Sequence, residues 1–493
     1  MRRLSIAVKK FAIVCHRWMG VAFCLLFLWW FVSGVFMMYW SYPEVTQADR
    51  LRHAPNLDPT RVKLSAEDAA KAAGIEPTAV RLASFDARPA YFFRAGRGSA
   101  LVYADTGEQQ DIFAPEFNLR TAAAWTGQPA ASAKVETVSE PDQWTLGVRR
   151  QLPLQKYTFA DGQQVYISEE TGEVVQYTST SSRIYAHLGA IPHWMYYTPL
   201  RVNGGLWTRV VVWSSGLATI AALLGLIVGI WMWSPSQRYR HNGQPTGVPY
   251  TGQKRLHTIL GLFFGILAMT WAFSGMLSME PFEFAGPATK GGAARSIQQA
   301  LTGKFDLAGY TSHPATVLAE LGAVKEIEYA SFAGRPVFHA KLASGETRVI
   351  PLSGAPGDLP GIIRAAAGEK NIDEMRVIEQ YDRYYLDRAF ERPLPVIYVL
   401  LKDATRLYID PKTARVVGRY SESTGAWVNR WLYHGLHSLD FPWLYNYRPA
   451  WDIVVLSLML ACVWLCWTSV VLSWRVLKRK LGSRRAASED LAV

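Results

Sequence analysis

Four long runs of apolar residues divide the 493-residue chain. They cover residues 15–39, 207–233, 257–279 and 451–474. Each run reaches the length of about 20 residues that a helix needs to cross the hydrocarbon core of a bilayer. The pattern therefore predicts four transmembrane helices, which separate the more polar segments 1–14, 40–206, 234–256, 280–450 and 475–493.

The first run predicts a permanent anchor rather than a cleaved signal peptide. It is longer than the apolar core of a signal peptide, it lacks a small-residue cleavage site, and aromatic residues flank it. Together the four runs account for a composition that is 50% hydrophobic, which is too apolar and too long for one soluble domain.

The basic residues predict the orientation of these helices. The formal net charge is +12, and Lys and Arg residues cluster at the N-terminus, between the second and third runs, and after the fourth run. The clusters comprise Arg2, Arg3, Lys9, Lys10, Arg238, Arg240, Lys254, Arg255, Arg475, Lys478, Arg479, Lys480, Arg484 and Arg485. All three lie on one side of the predicted membrane, so the positive-inside rule places both termini in the cytoplasm. Because the charge follows the helix ends, it does not indicate nucleic-acid binding.

The two long polar segments predict α+β domains on the outer side. Ser65 precedes two acidic residues, as an N-cap does at a helix start. Residues 90–94 and 101–104 have the composition of strands. Residues 156–159 and 164–168 predict a hairpin around Asp161-Gly162.

The cysteines restrict how a cofactor could be held. All four, Cys15, Cys24, Cys462 and Cys466, lie in or beside the first and fourth runs. The outer segments therefore have no structural disulfide. The chain has no Cys-x-x-Cys-His motif, so a haem would be bound non-covalently.

One structural unit occurs twice in the chain. Residues His16, Gly20, Ser33 and Gly34 of the first run recur in the third run as His257, Gly261, Ser274 and Gly275, at a constant offset. Outside the runs, Ala83-Ser84-Phe85 recurs as Ala330-Ser331-Phe332, and Arg183-x-x-x-His187 recurs as Arg430-x-x-x-His434. Each half is thus a helix going out, an outer domain and a helix coming back. Two halves of equal orientation predict a pseudo-two-fold axis along the membrane normal.

His16 and His257 are the leading candidates for chemistry. An ionisable group inside a membrane helix costs free energy and is usually functional. On a helix, His16, Gly20 and Phe23 fall on one face, and the third run repeats this face. A ligand atom beside small and flat residues suits a planar cofactor, and we expect a bis-histidine haem between the first and third helices. The alternative is a pair of interfacial histidines at helix starts, with Gly20 and Gly261 used for packing only.

A second set of histidines lies at the outer ends of the second and fourth helices. His187 and His434 are equivalent in the repeat, and Arg183 and Arg430, four residues earlier, could pair with haem propionates. His193 and His437 are further candidate ligands without equivalent spacing. The alternative for all of them is a structural role at the base of the outer domains. A span of 25 residues covers about 37 Å, so two stacked haems make better physical sense than one.

These motifs resemble the PepSY-associated transmembrane family, which includes iron-regulated membrane proteins and ferric-siderophore reductases. The resemblance rests on the two His-x-x-x-Gly … Ser-Gly copies and on segments such as 64–70, 102–108 and 165–175. The second half departs from the pattern at Ala414, which replaces the turn glycine of the first half. The resemblance implies four transmembrane helices as two tandem repeats, each with a periplasmic α+β PepSY-like domain. It also implies haem b and electron transfer across the inner membrane to a periplasmic ferric siderophore.

Several functional alternatives stay open at this point. The chain could be a haem electron-transfer subunit for another periplasmic oxidoreductase, a transporter, or a haem-free PepSY module that regulates other proteins. No recognisable nucleotide-binding motif lies in the inner segments, so a quinol or a separate cytoplasmic reductase would supply electrons. Hydrolase motifs are not found in the sequence.

Overall fold

The structure is a computed structural model that describes residues 2–489 apart from 97, 112, 283–291, 353, 355–356 and 388–390. The predicted segments 1–14, 40–206, 280–450 and 475–493 are therefore described in part. The side chains of Arg2, Arg3, Arg484 and Arg485, which were used to predict the orientation, lie outside the described residues.

Helices and strands follow each other along both halves of the chain. The α-helices are α1 (Arg2–Met37), α2 (Gln47–His53), α3 (Ala66–Ala72), α4 (Pro115–Thr126), α5 (Thr180–Leu188), α6 (Ala190–His193), α7 (Thr198–Arg201), α8 (Gly204–Met232), α9 (Gly252–Leu277), α10 (Gly292–Thr302), α11 (Pro314–Leu321), α12 (Leu359–Ala367), α13 (Thr424–Trp427), α14 (Leu436–Ser438), α15 (Pro442–Tyr445) and α16 (Ala450–Glu489). The strands are β1 (Ala79–Phe85), β2 (Arg88–Ala95), β3 (Gly98–Tyr103), β4 (Lys134–Val138), β5 (Leu154–Thr158), β6 (Gln164–Ser168), β7 (Val174–Thr178), β8 (Tyr239–His241), β9 (Gln244–Thr246), β10 (Val324–Phe332), β11 (Arg335–Leu342), β12 (Thr347–Pro351), β13 (Ile372–Ile378), β14 (Val396–Leu401), β15 (Thr405–Asp410) and β16 (Arg415–Ser421). A π-helix covers Val428–Gly435.

The chain folds into two compact units. The helical unit comprises residues 1–42, 181–286 and 423–493, and the sheet unit comprises residues 43–180 and 287–422. Four helices of the helical unit are long and apolar enough to cross a membrane: Ile6–Met37, Gly204–Met232, Gly252–Leu277 and Ala450–Leu481. The four membrane-spanning helices predicted from the apolar runs are thus present.

The four long helices form a bundle in which α1 and α9 alternate with α8 and α16. Each of α1 and α9 packs against both α8 and α16. Shorter elements close the end of the bundle opposite the chain termini. Helix α6 packs on α1, while the π-helix and α14 pack on α9. The buried Trp451 of α16 donates its indole N–H to the Ser438 and Leu439 carbonyls and so fixes α14.

The sheet unit is built from one six-stranded and two four-stranded antiparallel sheets. The six-stranded sheet has the order β12-β11-β10-β1-β2-β3, so the β1–β10 pair joins a three-stranded meander from each half of the chain. One face of this sheet buries Leu82, Tyr91, Ile327 and Phe338 in a common apolar core. The other two sheets, β4–β7 and β13–β16, each take all four strands from one half.

Local predictions for the outer segments are confirmed where the structure describes them. The Ser65 hydroxyl accepts a hydrogen bond from the Asp68 N–H and caps α3, and β5 pairs with β6 as a hairpin. Ala414 takes a left-handed conformation with φ +54°, close to the +63° of Gly172 at the matching turn. The second half therefore keeps the turn, although an alanine adopts it at a steric cost that glycine avoids.

Candidate functional site

His16 and His257 face each other inside the bundle. They lie on α1 and α9, and their ring centroids are 6.3 Å apart with 25° between the ring planes. A metal–imidazole bond is about 2 Å long, and each ring nitrogen lies roughly 1 Å from its ring centre. Two imidazoles on opposite sides of one metal ion therefore have centroids roughly 6 Å apart, which is the separation of this pair.

Hydrogen bonds fix which nitrogen of each ring carries the proton. The Nδ1 of His16 lies 3.0 Å from the Ala221 carbonyl, which can only accept, so this nitrogen donates. The Nδ1 of His257 lies 3.0 Å from the Thr468 hydroxyl, which gives its own proton to the Leu465 carbonyl and therefore accepts. Both rings are thus set as the tautomer whose Nε2 has the lone pair, as in a metal-ligating histidine with an outer hydrogen bond.

A cavity of about 520 Å³ adjoins this pair at the end of the bundle that carries the chain termini. This volume is within the usual range for cofactor pockets. Both predicted supporting glycines line the cavity. A Cβ atom at Gly20 would meet nothing within 4 Å, and one at Gly261 would meet only Leu465 Cδ1 at 3.9 Å. The two glycines therefore keep space open rather than bring helices into close contact.

A third glycine, Gly225 of α8, determines where His16 can lie. A Cβ atom at this position would come within 2.6 Å of the His16 ring, so only glycine leaves room for the imidazole. Gly225 is not among the site residues predicted from the sequence. Its signal is the spacing of small residues on α8, where Ala218, Ala221, Gly225 and Gly229 recur every three or four positions.

Four cationic side chains also line the cavity. They are Arg17 of α1, Lys254 of α9, and Arg475 and Arg479 of α16, and all four are exposed. A porphyrin held between His16 and His257 would carry two propionate groups, and guanidinium groups are their natural partners. The residues present therefore fit a non-covalent haem: two axial nitrogens, open space beside them, and cations at the rim.

A second histidine pair lies at the opposite end of the bundle. His193 of α6 and His437 of α14 have ring centroids 5.9 Å apart, with 72° between the planes. The Nδ1 of His193 is 3.1 Å from the Trp30 carbonyl and 3.1 Å from the Ser33 hydroxyl of α1. Because the carbonyl can only accept, Nδ1 is again the protonated nitrogen.

His437 is held in the corresponding way from α9. Its Nδ1 is 3.0 Å from the Ser274 hydroxyl, which donates its proton to the Trp271 carbonyl and therefore accepts from the ring. The neighbouring glycines border these rings: a Cβ atom at Gly34 would lie 2.6 Å from Met459 Cε and 3.4 Å from the His193 ring, and one at Gly275 would lie 3.6 Å from the His437 ring. The repeated Ser-Gly motif thus positions the second pair.

His187 and His434 were predicted from the repeat as outer ligands, but their surroundings differ from those of His193 and His437. His187 is exposed, and its Nδ1 bonds the Arg183 carbonyl one turn earlier on the same helix. The His434 side chain is 45% exposed, with Nδ1 3.8 Å from Asp440. Arg430 is buried and donates to the Asp440 carbonyl. The structure thus pairs His193 with His437 inside the fold, whereas His187 lies at its surface.

Two aromatic side chains lie between the histidine pairs. Phe31 of α1 and Trp271 of α9 are both buried, and their ring centroids are 5.4 Å apart. Along α1, Phe31 follows His16 by four helical turns and precedes Ser33, the partner of His193. These rings therefore fill the interior of the bundle between its two ends.

Comparison with known proteins identifies the family of this chain. The family model described as the PepSY-associated TM region matches residues 14–475. Comparison with curated proteins finds no match, and comparison with solved structures finds none either. The matched range includes α8 and α9 in full, most of α1 and α16, both histidine pairs and the described part of the sheet unit. The chain therefore belongs to the PepSY-associated transmembrane family.

Proposed function

We propose that this protein is a haem b electron-transfer protein of the bacterial inner membrane, which passes electrons outward to a periplasmic acceptor. The main support is that all four histidines of the two pairs have Nδ1 hydrogen-bonded to oxygen, so that each Nε2 is the nitrogen available to a metal. His187 also has its Nδ1 bonded to a carbonyl, so this tautomer supports the proposal only together with the arrangement of the four rings in two pairs. Two centroid separations near 6 Å, one at each end of the bundle, also support two haem sites.

Orientation follows from the distribution of charge. With the basic helix ends in the cytoplasm, the pair His16–His257 lies at the inner side and the pair His193–His437 at the outer side. The sheet unit would then be periplasmic and would comprise the two PepSY-like domains of a tandem repeat. About 25 Å of helix separates His16 from Ser33 at 1.5 Å per residue, so two sites divide the membrane crossing into shorter steps.

The chain's own residues would hold and tune the cofactors. Haem, when bound, supplies reversible one-electron storage at its iron. His16 and His257 would ligate the inner iron, while Ala221 and Thr468 hold their rings in place. Arg17, Lys254, Arg475 and Arg479 would bind the propionates. Phe31 and Trp271 exclude water from the interior between the sites, which keeps the local dielectric constant low.

For the outer site we propose His193 and His437 as ligands, in preference to His187 and His434. An inward-facing ring with a second hydrogen-bonded partner is the usual setting of a metal-ligating histidine, and His193 and His437 have that setting. Arg430 was predicted from the sequence to pair with a haem propionate. It is buried and donates to the Asp440 carbonyl, so it would have that role only with a propionate close to Asp440. The acceptor implied by the family resemblance is a ferric siderophore, which would be reduced by one electron at iron.

The proposal is tested by the visible spectrum of the protein purified in mild detergent. A Soret band, a reduced α-band and about two haems b per chain in a pyridine haemochrome assay are expected. His16→Ala and His257→Ala should each lower the haem content by about half, whereas His187→Ala, a matched change at an exposed ring, should leave it unchanged. Well-folded protein that was made with ample haem and shows no Soret band would refute the proposal. Ferric-siderophore reduction is then measured separately, because failure of that step alone would favour another periplasmic acceptor.

A further inference from the structure

The end of the bundle that carries the chain termini has basic residues and almost no acidic ones. Every Asp and Glu of the chain lies within 44–173 or 280–452, or is Glu489 or Asp490. The segments that form this end, 1–14, 234–256 and 475–488, therefore contain no carboxylate side chain. The positive-inside rule explains the Lys and Arg residues, but Asp and Glu contribute little to that rule. The positive-inside rule therefore does not account for the missing carboxylates, which leave this end with positive charge alone.

The basic residues are also arranged around the inner cavity. Arg17, Lys254, Arg475 and Arg479 come from three different helices, line one cavity and are exposed. None of these four cations takes part in an ion pair among the described residues. We call them the cationic rim. One haem has two propionates, so the rim keeps positive charge even when the proposed haem is bound.

The positive surface continues well beyond the rim. Lys9, Arg238, Arg240 and Lys478 are exposed on α1, on the β8–β9 segment and on α16. A small anion would contact only one or two of these groups, whereas the acidic face of a protein can contact many. Opposite charges spread over two protein surfaces speed association and set the docking orientation.

From these observations we infer that the cationic rim is the docking site of a cytoplasmic electron-donor protein with an acidic face. The inference rests on the proposed function, because it supplies the donor for the inner histidine pair. One electron would pass from the reduced flavin or iron–sulfur centre of the donor, which is oxidised, to a haem that His16 and His257 would hold, which is reduced. The rim would hold the donor over the cavity that adjoins His16 and His257.

Binding tests the inference without any need for bound haem. The full chain is placed in nanodiscs of neutral phosphatidylcholine, and oxidised flavodoxin, an acidic flavoprotein, is the probe. Binding at 20 mM NaCl should be at least tenfold tighter than at 300 mM NaCl. Arg475→Glu/Arg479→Glu should weaken it at least tenfold, while Arg376→Glu/Lys402→Glu, the same charge change on exposed sites of the sheet unit, should change it less than twofold.

Stopped-flow reduction separates the donor from its alternatives. Photoreduced flavodoxin should reduce the haem of the native protein, with a rate that falls with salt and with the rim substitutions. Rapid reduction by duroquinol, a neutral quinol, without any binding of flavodoxin would overturn the inference. So would rim substitutions that alter only the binding of phosphatidylglycerol vesicles, since the rim would then be a lipid surface. Failure of the proposed function itself appears separately, as the absence of haem in the pyridine haemochrome assay.

Discussion

Arg81 of β1 and Glu328 of β10 are direct partners across the strand pair that joins the two halves of the sheet unit. They are also equivalent positions of the sequence repeat, so the two halves place opposite charges at the same site. Arg81 pairs with Glu173, and Glu328 pairs with Arg415, the equivalent of Glu173 in the second half. One ion pair thus recurs with its charges exchanged. Two identical halves would place like charges together here, so the exchange favours pairing of the first half with the second.

Removal of Arg81 should destabilise the sheet unit strongly. Besides Glu173, this guanidinium bonds Glu326, whose side chain is only 6% exposed. Arg81→Met would leave that carboxylate buried without its cation, at a cost of about 3 kcal/mol. Glu173→Gln, which removes a 31% exposed partner, should cost less than about 1 kcal/mol. Thermal unfolding of the detergent-solubilised chain compares the two variants. Equal losses would show that Glu326 does not depend on Arg81.

The outer histidines give a direct test of which pair binds haem. His193→Ala and His437→Ala should each lower the haem content from about two to about one per chain, because each removes an axial nitrogen. His187→Ala and His434→Ala should leave two. The pyridine haemochrome assay measures all four variants. If His187→Ala loses one haem and His193→Ala keeps both, the ligands are those favoured by the sequence repeat.

Alanine substitutions at two glycines of the inner cavity should affect haem binding in different ways. Gly225→Ala places a methyl group within 2.6 Å of the His16 ring, so the ring must move and the inner haem should be lost. Gly20→Ala meets nothing within 4 Å and should leave the stability of haem-free protein unchanged. Its methyl group enters the open cavity, however, so haem affinity should fall about tenfold or more. Haem titration of protein made without haem measures both. Unchanged affinity in Gly20→Ala would place the porphyrin elsewhere.

The hydroxyl groups that accept hydrogen bonds from the histidines should set the midpoint potentials of the haems, while the histidines themselves hold the haems. Thr468→Val removes the acceptor of the His257 Nδ1–H while it nearly keeps the side-chain shape. Loss of such an outer partner typically costs 10- to 100-fold in metal affinity, and it makes the imidazole less basic. The midpoint potential of the inner haem should therefore rise, while that of the outer haem stays constant. Thr270→Val, which removes an α9 hydroxyl that bonds the Leu267 carbonyl outside the lining of the inner cavity, is the control in a redox titration. A shift of both potentials, or of neither, would contradict this role.

Sequence predicted the parts of this site that depend on local pattern. Lipid requires about 20 apolar residues in each helix, so the four helices were evident, and His16 and His257 keep a constant offset because each lies within one unbroken helix. The outer pair was harder to predict, because the spacing of its histidines differs between the two halves. His193 follows His187 by six residues, whereas His437 follows His434 by three. The short helix α6 in the first half and the π-helix in the second account for this difference. Partners such as Ser33 and Thr468 come from other helices, so only the tertiary structure brings them together. The β1–β10 pairing joins residues 243 to 247 positions apart, and no local pattern predicts it.

His339 should make the stability of the sheet unit sensitive to acid. It is fully buried on β11, and neither ring nitrogen has a hydrogen-bond partner among the residues that the structure describes. Burial, with a smaller contribution from the Arg415 guanidinium, lowers the pKa of His339 well below its usual value. The unfolded chain takes up a proton below about pH 6.5, whereas the folded chain does not. The free energy of unfolding therefore falls as the pH drops below that value, by up to about 1.4 kcal/mol per pH unit.

His339→Phe isolates this effect, because Phe92 occupies the equivalent position of the first half. The variant should lose less thermal stability than the native chain between pH 7 and pH 5, since it has no ring to protonate on unfolding. Glu328, 3.9 Å from the His339 ring, stays paired with Arg415 in both proteins. Burial raises the pKa of Glu328, but the Arg415 pair outweighs this and leaves the pKa below its usual value, so Glu328 affects stability only in stronger acid. His187→Asn, at an exposed ring of the helical unit, is the control and should keep the native pH dependence. If His339→Phe keeps it as well, another group causes the loss of stability in acid.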